Sequence, residues 1–265
     1  MNIKTKFTLC AIALVSSQNL FAHTTLQVSS VTEGGSKYTS NYNNLVIGHG
    51  CKNGVPGTPN SPVVANTYIW PEFATASVYV SGSLTPAAIA PTDLINQLKI
   101  TVMPGTNVFA KNGINWGSDT TFTSPVGAYA WQGNLPGSSA KGFVPLSVGQ
   151  AHIVPASCAK SVTIEVDVLD VCNITTFNAA SEKSVDVWAS QVGSKWDPKT
   201  ATADLGAAAK YTVNRDLPNN PLAPACGAGI AYTIKASAAQ IDSQLNIPKV
   251  YPKSKHVNLN NKLNV

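Results

Sequence analysis

From Ser161 to Leu169 the chain alternates: Val162, Ile164, Val166 and Val168 are apolar, while Thr163, Glu165 and Asp167 are polar. Successive side chains of a strand leave opposite faces, so this period of two predicts an extended strand with one buried and one wet face. Glu165 and Asp167 fall on the wet face. Cys158 and Cys172 flank the strand. An extended segment between them holds the two sulfurs far beyond disulfide reach unless the chain doubles back, so each is expected to pair with Cys51 or Cys226.

Weaker strand patterns recur at Thr24 to Val31, Leu45 to His49, Thr67 to Trp70, Ala76 to Val80, Leu98 to Met103, Ala128 to Trp131, Phe143 to Val148, Val185 to Ser190, Lys210 to Val213 and Ile230 to Ile234. Between them lie turn clusters such as Pro56 to Asn60 and Asp216 to Pro221. Short strands punctuated by Gly, Pro, Asn and Ser predict an all-β fold, an antiparallel β-sandwich with long loops and few short helices. Helical turns are expected only at Pro91 to Leu98 and Ala236 to Gln244. Asn53 to Pro62 and Asn112 to Pro125 show little periodicity and read as surface loops, the places where a rigid β scaffold carries function.

The first 22 residues have a different character. Lys4 and Lys6 precede the apolar run Phe7 to Val15, and a polar stretch ends in Leu20, Phe21 and Ala22. This is the layout of a cleavable secretory signal peptide, too short to span a bilayer. Residues 1–22 are therefore expected to be removed, leaving a single domain over 23–247 and a basic, flexible tail over 248–265. The tail holds Lys249, Lys253, Lys255 and Lys262, and without it the body from His23 to Ile247 is close to neutral. A near-neutral body lacks the dense basic face that nucleic acid requires. No later stretch is apolar enough for a membrane span. The expected location is secreted or outer cell surface, with the periplasm as the alternative. An exported chain with Cys51, Cys158, Cys172 and Cys226 reads first as one with two disulfides.

The inventory contains no Gly-rich phosphate loop, no Gly-x-Ser-x-Gly elbow and no His-Glu-x-x-His. Histidine says more, because there are four: His23, His49, His152 and His256. Cleavage after Ala22 would give His23 a free α-amine beside its imidazole, two nitrogen donors of the kind that Cu(II) favours. His49 follows the apolar run Leu45 to Ile47 and stands between Gly48 and Gly50, two residues before Cys51. It reads either as a metal ligand or as a core imidazole satisfied by a carbonyl. His152 precedes Cys158 by six residues; if Cys51 bonded Cys158, His49 and His152 would converge. Otherwise His152 is a solvent-facing strand histidine. His256 lies in the tail. The five tryptophans read first as core or pocket walls. Trp116, between Asn115 and Gly117, suits burial less well than Trp188 in Val185 to Trp188.

Five segments together resemble the methanotroph surface and secreted copper-binding proteins of the copper-repressible MopE/CorA type. They are Ala22 to Leu26, Tyr42 to Cys51, Pro155 to Val162, Asp170 to Cys172 and Thr212 to Leu217. The resemblance spans most of the chain after residue 22, and its strongest element is the histidine before Cys51. It implies an exported protein, made when copper is scarce, that captures copper as Cu(I) or Cu(II) through histidine imidazoles and a tryptophan oxidised to kynurenine. Carried onto this chain, His49 is the first ligand, with His152 and His23 competing for the second. The Trp-x-His triplet of the family's better-known member is absent here, and Trp116 is the candidate for an oxidised tryptophan. An outer-membrane or copper-uptake partner would receive the metal. Two other readings stand beside copper capture: a copper oxygenase built on the N-terminal His23, and a structural or adhesive surface protein without metal.

Overall fold

A computed structural model of the chain describes residues 24–34, 41–50, 62–96, 98–103, 107–119, 124–135, 141–149, 151–172, 185–190 and 204–245, with the backbone alone over most of 111–134 and at 204–206. The alternating segment forms the longest strand, β12 (Ala159–Val171). Its first half pairs antiparallel with β15 (Ala209–Asn214) and parallel with β16 (Ile230–Lys235). From Asp167 onward its neighbours change to β4 (Val63–Ile69) on one side and β13 (Val185–Ala189) on the other. One strand thus serves two sheet segments. From β4 the ladder continues to β9 (Ser124–Leu135) and β8 (Phe109–Asp119), and from β13 to β14 (Asp204–Ala207). At the other end, β15 takes β2 (Ser30–Thr32) and β16 takes β5 (Ser77–Val80).

A second sheet has the order β1 (Thr25–Leu26), β3 (Asn41–Ile47), β10 (Gly142–Val148) and β7 (Ile100–Val102). A short pair joins β6 (Ile95–Asn96) to β11 (His152–Ile153). The fold is all-β and sandwich-like, as expected, but it is not purely antiparallel: β12 with β16, β13 with β14 and β15 with β2 run parallel. In each case the chain returns after an excursion rather than through a hairpin, which leaves strand direction open.

Val162, Ile164, Val166 and Val168 join Leu45, Ile47, Val144, Leu146, Tyr68 and Tyr211 in the main core between the sheets. The opposite face of β12 is wet only at its start. Glu165 and Asp167 are buried, with Asp167 at 0% exposure, contrary to the solvated face that the alternation implies. The reason is a second core. Ala65, Ile69, Leu169, Val171, Val185 and Val187 are covered by Ala236, Ile241 and Leu245 of the segment around α1 (Ala238–Gln244). The Ser237 side chain accepts from Gln240 N, while Gln240 reaches the Trp70 carbonyl at 2.9 Å and accepts from Glu72 N at 2.8 Å, so the helix is fastened to the end of β4. The other expected helical turn is a 3-10 turn at Pro91–Asp93 leading into β6.

The expected loop Asn112 to Pro125 is a correction. Asn112 to Asp119 belongs to β8 and Ser124 onward to β9, paired from Phe109 with Gly133 to Asp119 with Ser124. Backbone hydrogen bonds make such a ladder without hydrophobic alternation, and Gly113, Gly117, Gly127 and Gly133 erase the pattern that would betray it. Of the Asn53 to Pro62 loop only Pro62 is described; residues 1–22 and the 248–265 tail also lie outside the described residues.

Near the start of β12 a buried arginine and a buried carboxylate organise the turns. Arg215 donates to the carbonyls of Ala159, Val154 and Ser157 and to Asn220 Oδ1, while Glu33 accepts from Ile153 N, Asp216 N and Asn220 Nδ2. Such complete satisfaction is what a buried ion needs, and it marks a structural joint.

Candidate functional site

The face of β12 that carries Val162 and Val168 also carries Asp170, two positions further along the same side. Register sets its neighbours: Asn66 on β4 and Asp186 on β13 stand directly opposite it, and Asp204 on β14 continues the row. Polar residues thus line up across adjacent strands on a face that is otherwise core. Asp170 and Asp186 are each 3% exposed and Asn66 is fully buried.

The facing sheet adds Thr24 and His49 to the cluster, and β13 adds Trp188. Thr24, immediately before β1, donates its hydroxyl to Asp170 Oδ2 at 2.6 Å. Trp188 Nε1 donates to the same oxygen at 2.9 Å, and Asn66 Nδ2 donates to Oδ1 at 2.6 Å. Burial pushes the Asp170 carboxyl up; the hydrogen bonds from Thr24, Trp188 and Asn66 oppose that, as does the nearby charge of His49. His49 sits two residues beyond the end of β3, half-buried, with Nδ1 hydrogen-bonded to the Gly50 carbonyl. A carbonyl only accepts, so Nδ1 is the donor of this bond and Nε2 is not engaged by it. Among the described residues, Asn66 Oδ1 is buried with no hydrogen-bond partner, and so is the Tyr68 hydroxyl two residues along β4.

The expected site residues meet different fates. His49 lies within electrostatic reach of Asp170. His152 does not join it: Cys158 bonds Cys226, with a Cα–Cα separation of 5.1 Å, so the Cys51–Cys158 link that would bring the two histidines together is not made. His152 lies on β11, tied through Ile153 and Val154 to the Arg215 and Glu33 joint at the Ala159 end of β12. Asp170 is eleven residues further along that strand, on the order of 30 Å away. Cys172 is also disulfide-bonded, and Cys51 lies outside the described residues. The two cysteines flanking β12 are therefore in separate disulfides, as the extended strand requires.

Trp116 lies on β8, three strands from β12 in the order β12, β4, β9, β8, a lateral separation of about 14 Å. The tryptophan at the carboxylate is Trp188. His23 and His256 lie outside the described residues, although Thr24, the covalent neighbour of His23, is buried in the cluster. Among the described residues no three His, Cys, Asp or Glu side chains gather in a metal-holding group, and no helix is long and apolar enough to cross a membrane.

Asp170, Asn66, Thr24 and Trp188 were not singled out as site residues by the sequence. The available hint was parity: Asp170 continues the apolar set Val162, Ile164, Val166 and Val168, so an ionisable group stands where the pattern calls for core. Comparison with family models, curated proteins and solved structures gives no match to this chain.

Proposed function

We propose that this chain is an exported copper-binding protein that captures copper at the cell surface and holds it through histidine imidazoles centred on His49. The observation that supports the reading is the placement of His49: its Nδ1 is held on Gly50 O, which leaves Nε2 outside that bond, within electrostatic reach of the buried Asp170 carboxyl. His23 is the favoured second ligand. In sequence it adjoins Thr24, whose hydroxyl is bonded to Asp170. His152, on β11, is the less favoured second ligand.

An N-terminal-histidine copper oxygenase is the second reading, favoured by the same burial of Thr24. Equilibrium dialysis with metal analysis tests both. Protein recovered from medium should begin at His23 and hold roughly one copper per chain, and His49→Ala should lose it. Unchanged binding by that variant would defeat the site assignment. One residue added before His23 discriminates further: it should abolish binding in a site built on the terminal amine and only weaken a site centred on His49.

A further inference from the structure

We propose that one end of the sandwich is a self-association surface, through which two copies of this chain pair about a two-fold axis. Five large apolar side chains are exposed among the described residues. Four of them, Val80, Leu84, Leu217 and Ile230, belong to two segments, 73–92 and 217–234, that contain no charged residue. The sheet brings these segments together. In the order β15, β12, β16, β5, the first and last strands end where the middle two begin, so the turns after β15 and β5 and the start of β16 share one end of the molecule. Ser81 N donates to the Ala231 carbonyl at 2.9 Å, and Leu222 packs on Gly229, where a Cβ would come within 2.7 Å of it. Val80 and Ile230 continue the core rows of Val78 and of Tyr232 and Ile234, so the apolar interior runs out into solvent there. Leu84, in the turn beyond β5, is 96% exposed.

A stiff frame holds these side chains out. All three positive-φ glycines among the described residues, Gly82, Gly227 and Gly229, shape these turns, the Cys158–Cys226 disulfide ties them to β12, and Asn220 is fixed by Arg215 and Glu33. An ordered apolar face loses little freedom on docking. Charge names the occupant. A partner with a charged face would give up hydration here and gain no counter-charge, which is why interface cores are depleted in charge. A second copy presents the same uncharged face. The charges at its margin, exposed Lys160 at the start of β12 and half-buried Asp216 after β15, are of opposite sign, so a two-fold rotation can set the lysine of one copy against the aspartate of the other. None of the four exposed side chains is aromatic and neither segment carries a basic residue, the features by which proteins anchor at a lipid interface, so a bilayer is the poorer match.

Sedimentation equilibrium on the full disulfide-bonded chain, without added metal, tests the proposal. Wild type should show a reversible monomer–dimer equilibrium that persists at about 1 M salt, where contacts between exposed charges are screened. Leu84→Asp, at a side chain outside the core, should raise the dimer dissociation constant at least about tenfold, and Leu217→Asp, the second variant, should act in the same direction. Tyr42→Ser, on β3 of the other sheet, should leave the equilibrium unchanged. A chain that stays monomeric at every attainable concentration, a dimer that both aspartate variants leave intact or that comes apart in salt, or an equal loss in Tyr42→Ser would overturn the proposal. So would a monomer that floats with phosphatidylcholine vesicles, which would assign the face to lipid. None of these readouts involves metal, so their outcome is separate from that of copper capture.

Discussion

Asp167 is held where its charge is least welcome. Burial pushes its carboxyl from an ordinary 3.8 up to about 8, against the opposing hydrogen bond from Ser190 and the more distant Lys235, with Glu165 adding to the rise. The folded chain keeps this proton over a range in which the unfolded chain has lost it. Its contribution to stability is therefore complete below about pH 4 and declines as pH rises through about 8. Asp167→Asn keeps the acceptor for Ser190 N and removes the titration. Its melting temperature should exceed that of wild type at about pH 9 and show a flatter profile between about pH 5 and 9; parallel profiles would count against this account. Arg215 presents the opposite case, a buried charge fully met by partners. Arg215→Met leaves the Ala159, Val154 and Ser157 carbonyls without this donor, and urea unfolding should record a loss of about 1–3 kcal/mol.

At the scale of elements, β12 changes character along its length. Thr163 shares only a hydroxyl contact with Thr212 across a partly exposed face, whereas Leu169 is enclosed between the sheet and α1. Thr163→Ala should therefore cost under about 1 kcal/mol and Leu169→Ala about 2–5 kcal/mol, both read from denaturant midpoints. Comparable losses would mean that the second core does not bear on stability. The strand itself was legible because Val162 to Val168 alternate. Burial of Glu165 and Asp167 was not, because the cover over that face comes from residues 236–245, far along the chain. Of the β8 and β9 pair only Ala128 to Trp131 was legible; over the rest, four glycines and scattered polar residues leave backbone pairing without a side-chain pattern. Of the candidate site, His49 could be named from its motif. Its carboxylate neighbour depended on which strands lie beside β12, and local periodicity does not specify strand order.

At the scale of the whole molecule, the Cys158–Cys226 bond joins residues 68 apart in sequence and ties the start of β12 to the turn that launches β16. A Cys158→Ser, Cys226→Ser pair should lower unfolding free energy by about 2–5 kcal/mol, measured against wild type under non-reducing conditions. A smaller loss would place the constraint in native strain rather than in the unfolded chain.

The central position of β12 also dictates an order of assembly. Its partners come from residues 63–69 on one side of it in sequence and from 185–189, 209–214 and 230–235 on the other. The Thr24 hydroxyl must find a carboxylate 146 residues later. A chain emerging from its N-terminus thus has β1, β3 and β4 in hand well before the strand that unites them exists. Productive closure waits on the last quarter of the polypeptide, so long-range pairing makes folding a slow, late event rather than a process completed piece by piece during synthesis.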